Sequence, residues 1–81
     1  MKAHVRKVVA LLLAQRGDNH PFEDTDSLVL SGRLESLAVM DLAVFLETTF
    51  GLDFSRVEFN QTDFDSVDSI VALVSRYPRS A

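Results

Sequence analysis

Apolar residues recur at three-to-four spacing in three separate stretches of this 81-residue chain, and nowhere do they alternate with polar residues over a sustained run. A helical period without a strand period restricts the chain to an all-α domain. In the first stretch Val5, Val8, Val9, Leu12 and Leu13 share a face, Lys2, Arg6 and Lys7 lie on others, and Gly17 is placed to end the helix. That pattern predicts a helix over about residues 2–16. The second stretch begins at Ser36, which is placed as its N-cap, and runs to Phe50, where Gly51 stops it. The third is capped by Asp65 and Ser66, continues through Val67, Ile70, Val71, Leu73 and Val74, and is closed by Pro78. Between the second and third stretches the segment from Asp53 to Asp63 is irregular, with one short helical turn and with Phe54, Val57 and Phe59 facing inward.

Residues 17–35 form a long loop with no sustained periodicity, containing Gly17, Pro21 and Gly32 and anchored by Phe22, Leu28, Val29 and Leu30. Long loops in small domains usually carry function. The whole chain, 1–81, reads as one small helical bundle of three longer helices and a short one, too small for a second lobe to close over a substrate. An enclosed active site is therefore not expected, and no side chain is assigned a catalytic role. With no cysteine the chain has neither disulfides nor a thiolate metal site, so packing must carry the fold. The longest apolar run, Val8 to Ala14, is too short to span a bilayer and lacks a following cleavage site, which leads us to expect a cytoplasmic amphipathic helix and no membrane insertion.

Charge is segregated along the chain. All twelve acids fall between Asp18 and Asp68, where only Arg33 and Arg56 oppose them, while Lys2, Arg6, Lys7, Arg16, Arg76 and Arg79 occupy the ends. Such a middle repels phosphate backbones, which disfavours nucleic acid, and steers the domain towards basic patches on proteins. A merely solubilising acidic surface is compatible with the same distribution.

The second helix is more apolar than one buried stripe requires. Leu42, Phe45, Leu46 and Phe50 make one stripe, assigned to the core, and Leu37, Met40 and Val44 make a second beside it. We expect that second stripe to be at least partly exposed as a surface for a partner, flanked by Asp41 and Glu47. Periodicity alone is equally compatible with both stripes being core. At the helix start, unpaired N–H groups and the positive end of the dipole favour an anion next to Ser36. The hydroxyl is a weak nucleophile with no base near it in sequence, because His4 and His20 are distant, so a separate enzyme would have to activate it. Taken without further pattern, Ser36 reads more readily as an ordinary cap than as a modification site.

The run Gly32-Arg33-Leu34-Glu35-Ser36-Leu37 resembles the attachment site of acyl and peptidyl carrier proteins, in which an acidic residue, a serine and usually leucine follow a glycine. The resemblance extends over nearly the whole chain, through Asp26-Ser27-Leu28 ahead of Gly32, the helix end Glu47-Thr48-Thr49-Phe50-Gly51 and the Ser- and Asp-capped final helix. It implies a small four-helix bundle of acyl-carrier-protein type, with 4'-phosphopantetheine, donated by coenzyme A, attached to Ser36. In that family the cofactor's thiol holds the cargo as a thioester and the second helix is the main docking surface. Carried over, Leu37, Met40 and Val44 are docking positions and Asp41 and Glu47 the matching anions. The implied partners are a phosphopantetheinyl transferase, an acyl- or aminoacyl-activating ligase and acceptor enzymes with basic docking patches, each meeting a monomer.

The chain departs from fatty-acid carriers in having Glu35 where Asp is usual, Arg33 in the preceding loop, only two acids on the second helix, and Phe45 where a small side chain is more common. A bulkier helix leaves less internal room for a long acyl chain. The segment from Val57 to Ile70 looks closer to D-alanyl and aminoacyl carriers, so the expected cargo is a small acyl or aminoacyl group. An unmodified carrier-like module that docks through the same helix is the alternative. Calcium binding at Asp63, Asp65 and Asp68 is disfavoured because the glycine and terminal glutamate of a calcium loop are missing. A serine hydrolase is disfavoured by the lack of a Gly-x-Ser-x-Gly elbow.

Overall fold

The computed structural model describes residues 1–54 and 60–76. They form helix α1 (Lys2–Gln15), helix α2 (Ser36–Phe50), a 3-10 helix (Gln61–Phe64) and helix α3 (Val67–Arg76), with no strand among the described residues. Each long helix appears where apolar spacing places it. The short turn falls at the end of the irregular segment, where Asn60 and Asp63 form a reciprocal capping box that fixes its start. Phe54 is partly buried against the core and its ring lies 6.0 Å from that of Phe64, which is fully buried. The inward turn expected of Val57 and Phe59, and the stop expected at Pro78, lie outside the described residues.

The core is built from Val5, Val9, Leu12 and Leu13 of α1, Ala38, Leu42 and Leu46 of α2, and Val67, Ile70, Leu73 and Val74 of α3, closed by Phe64. Fully burying a side chain of this kind stabilises the fold by about 1.5–3 kcal/mol. Helices α1 and α2 run antiparallel. At one end the Arg16 Nη2 lies 2.8 Å from Glu35 Oε1, and at the other the His4 ring meets the rings of Phe45 and Phe50 edge-on at 5.1 and 6.0 Å. Among the described residues no helix is long and apolar enough to cross a membrane.

The loop between α1 and α2 has no secondary structure of its own to satisfy its backbone, and Asp65 supplies the missing acceptors. Its Oδ1 accepts from Ser27 Oγ at 3.0 Å and from the N–H groups of Val29 and Leu30 at 2.8 Å each. Its main-chain carbonyl accepts from Leu28 N at 2.6 Å. Asp65 is therefore a loop anchor, which corrects its reading as a helix cap. Ser66 takes the capping role, its hydroxyl accepting from Ser69 N at 3.0 Å while Ser69 Oγ accepts from Ser66 N. Leu28 is fully buried by this arrangement, and Leu34 and Leu52 are buried in the same core, whereas Leu30, expected as an anchor, is 69% exposed. Only its backbone is held.

Two arginines staple the rest of the loop. Arg33 meets both carboxylate oxygens of Asp18, at 3.0 and 3.2 Å, and donates to the carbonyls of His20 and Pro21. This guanidinium, aided by the N–H of His20, holds the Asp18 carboxyl far below the ordinary carboxylate range. Arg6 donates to Asp24 at 2.5 Å and to the Phe22 carbonyl, with its guanidinium 4.6 Å above the Phe22 ring.

Removing the Asp65 carboxylate leaves three donors without their acceptor. We expect Asp65→Ala to lower unfolding free energy by about 2–3 kcal/mol in a denaturant titration, with Asp65→Asn intermediate. Burial opposes the Asp65 charge, but the bonds from Leu30, Ser27, Val29 and Leu28 together outweigh it and hold the carboxyl below its ordinary value of 3.8. Its contribution is accordingly complete above that value and is lost as pH falls through the lower folded value. Acid titration of stability should show a smaller loss below pH 4 in Asp65→Asn than in the parent chain, in about the proportion that one such carboxylate supplies.

Candidate attachment serine and the outer face of helix α2

The approach to Ser36 is a tight segment held from outside. Gly32 adopts φ +85 with nothing within 4 Å of where a Cβ would sit, so the backbone angle and not crowding calls for glycine. Gly32 N donates to the Val29 carbonyl at 3.0 Å and Leu34 N to the Leu28 carbonyl at 2.8 Å, burying Leu34. Arg16, just beyond the end of α1, donates through Nη1 to the carbonyls of Gly32 and Arg33 and through Nη2 to Glu35.

Glu35, with φ −84 and ψ 167, is the N-cap residue, and Ser36 is the first residue of α2. This corrects the placement of Ser36 as the cap. The physical reason is the Arg16 contact, which fixes Glu35 in an extended conformation and lets helical geometry begin one residue later. No side chain caps the helix, and no acid lies in its first turn. The Glu35 carbonyl accepts from Val39 N at 3.0 Å, so the N–H groups of Ser36, Leu37 and Ala38 have no carbonyl within the helix to bond. An exposed hydroxyl thus stands at an open, positively polarised helix end. It is not activated by a neighbour. His4 packs on Phe45 and Phe50, His20 bonds Asp18, and Glu35 is engaged by Arg16.

On the outer face of α2, Leu37, Met40 and Val44 are 73, 65 and 57% exposed, so the second stripe is free and not core. Asp41 and Glu47 are exposed on the same helix. The inner stripe differs from expectation. Ala38, Leu42 and Leu46 are its buried members, whereas Phe45 and Phe50 are half-buried and pack edge-on to each other at 5.6 Å and against His4. Those rings cover the seam between α1 and α2, which the bundle is too thin to bury.

Folding redistributes the segregated charge. Lys2 lies 3.3 Å from both Asp24 and Asp68, Arg6 pairs with Asp24, Arg16 with Glu35, Arg33 with Asp18 and Arg76 with Asp63. Among the described residues neither Asp41 nor Glu47 has a cationic side chain within ion-pair distance. Four cations from the ends of the chain, Lys2, Arg6, Arg16 and Arg76, pair with acids of the middle, and the charge on α2 stays available. No group of His, Cys, Asp or Glu among the described residues is arranged to hold a metal ion. The sequence reading missed Arg16, whose signal was a long cation directly after a predicted helix, and Leu34, an isolated apolar residue with no period around it.

Compared with protein-family models, with curated proteins and with solved structures, the chain finds no match. The division of α2 into two faces is testable by stability alone. Met40→Ser and Val44→Ser should change unfolding free energy by less than about 0.5 kcal/mol. Leu42→Ala or Leu46→Ala should cost about 2–5 kcal/mol in the same denaturant titration.

Proposed function

We propose that this chain is a free-standing carrier of acyl-carrier-protein type, modified at Ser36 by 4'-phosphopantetheine, that presents a small acyl or aminoacyl group to partner enzymes. The observation that carries the reading is an exposed serine at the uncapped start of an apolar helix, within the run Gly32-x-x-Glu35-Ser36-Leu37. In the proposed fold the 3-10 turn takes the place of the short helix of a four-helix bundle.

The residues present suit the group. Its phosphate would lie against the open N–H groups of the first turn of α2, where the helix dipole stabilises negative charge. When bound, the group supplies a terminal thiol that holds cargo as a thioester, which a chain without cysteine does not provide itself. Ser36 Oγ would attack the phosphorus of coenzyme A that bears the pantetheine, forming the phosphodiester, giving its proton to a base of the transferase and releasing the nucleotide half as leaving group. A transferase is required because no base on this chain contacts the hydroxyl.

Leu37, Met40 and Val44 would enter an apolar groove of the partner, and Asp41 and Glu47 would meet its basic rim. Complementary charge of this kind acts mainly on association rate. The proposed site of action is the cytoplasm, and the proposed acting species is the monomer, which leaves the α2 face open.

The test is the intact mass of the protein after incubation with coenzyme A, magnesium and a broad-specificity phosphopantetheinyl transferase, beside a Ser36→Ala control. A gain of one phosphopantetheine in the parent and none in the control is expected. No gain with several transferases would reject the carrier reading and leave an unmodified docking module. With the transferase that works, Asp41→Asn and Glu47→Gln should slow association and flatten its dependence on salt.

A further inference from the structure

We infer that Arg16 is the positioning residue of the attachment site, fixing segment 32–35 so that Ser36 is presented at an open helix end. The inference deepens the carrier reading and rests on it for its enzymatic readout alone.

One side chain at the end of α1 reaches three points immediately before Ser36. Arg16 Nη1 donates to the Gly32 carbonyl at 3.2 Å and to the Arg33 carbonyl, and Nη2 lies 2.8 Å from Glu35 Oε1. A guanidinium is planar and its donors are fixed relative to one another, so bonding two carbonyls and a carboxylate at once fixes those three groups together. The side chain is 35% exposed, which leaves the contact partly screened but ordered by its multiple bonds. Arg33 is different in kind, because its own guanidinium bonds Asp18, His20 and Pro21, earlier in the loop.

The engagement of Glu35 has a second effect. A carboxylate directly before an uncapped helix is drawn to the free N–H groups of the first turn. Holding it on Arg16 keeps those groups free for a phosphate on Ser36. Without Arg16 the segment would lose three bonds and the Glu35 carboxylate would compete for the same N–H groups.

Two measurements on Arg16→Ala test this. In the transferase assay we expect kcat to fall about tenfold, the factor that one charge-assisted hydrogen bond supplies, with KM for the carrier within about twofold. Arg16→Lys, which keeps the charge next to Glu35, should recover part of the loss. By hydrogen exchange, the Leu34 amide, bonded to the Leu28 carbonyl inside the held segment, should exchange about tenfold faster in Arg16→Ala while the Leu73 amide in α3 is unchanged. An unchanged kcat, a loss confined to KM, or unchanged Leu34 exchange would each overturn the inference. If the parent chain accepts no phosphopantetheine, the carrier reading fails on its own, and the exchange measurement still decides whether Arg16 holds the segment. Should Arg16→Ala fail to fold, Arg16→Gln is read by the same two measurements and the same criteria.

Discussion

The contact between Asp65 and the long loop is the constraint on which the rest of the structure depends. A loop running from the end of α1 to Ser36 in so small a domain carries many backbone donors that neither helix nor sheet satisfies. Asp65 answers this at one point, its carboxylate and carbonyl receiving four donors from Ser27, Leu28, Val29 and Leu30. With those groups paired, Leu28 and Leu34 are buried without stranding polar backbone. The entry to α2 is thereby set by a residue at the entry to α3. The Asp68 N–H, which donates to the Asp24 carbonyl at 3.0 Å, adds a second stitch between the same two regions.

Ion pairs at a surface contribute little individually, and the ones here are partly exposed. Their value lies in what they join. Arg6, Arg16 and Arg33 each combine a carboxylate with a main-chain carbonyl of the loop, so that a weak pair becomes a staple with several bonds. The same pairing offsets part of the anionic character of the middle of the chain, through Lys2, Arg6, Arg16 and Arg76. What reaches outward from α2 is a sparse pattern, two acids beside three exposed apolar side chains. That combination suits a small apolar contact with a charged rim better than long-range attraction to a strongly basic surface.

Much of this fold was legible in the sequence, because period and punctuation act locally. The spacing of Val5, Val9 and Leu12 fixed the buried face of α1, and Gly51, at φ +69, ends α2 where a left-handed residue is required. Spacing marked Leu37, Met40 and Val44 as a second stripe but left its exposure open, which the thinness of the bundle decides. The failures were all decided by distant partners. Asp65 reads as a cap until the loop arrives to claim it, and Leu30 reads as an anchor although only its N–H is held. Ser36 loses the cap position because Arg16, twenty residues earlier, decides where Glu35 lies. Phe45 reads as core, yet it spans the edge of the α1–α2 seam, where His4 covers it.

The start of α2 is where local optimisation is absent. A serine at the N-cap would bond the first turn and stabilise the helix by about 1 kcal/mol, and Ser36 lies one residue from that position. Instead the cap is a glutamate whose carboxylate is taken by Arg16, the first turn has no acid, and its N–H groups stay open. Side-chain caps are used in the Asn60–Asp63 box and the Ser66–Ser69 pair, whereas α1, like α2, starts without one. An uncapped start that follows a long, well-held loop is the kind of departure from local rules found where function competes with stability. An open helix end next to an exposed hydroxyl is a setting that favours negative charge. In the proposed carrier function both the open helix end and the residue order bear on Ser36, one through backbone hydrogen bonding and the other through sequence.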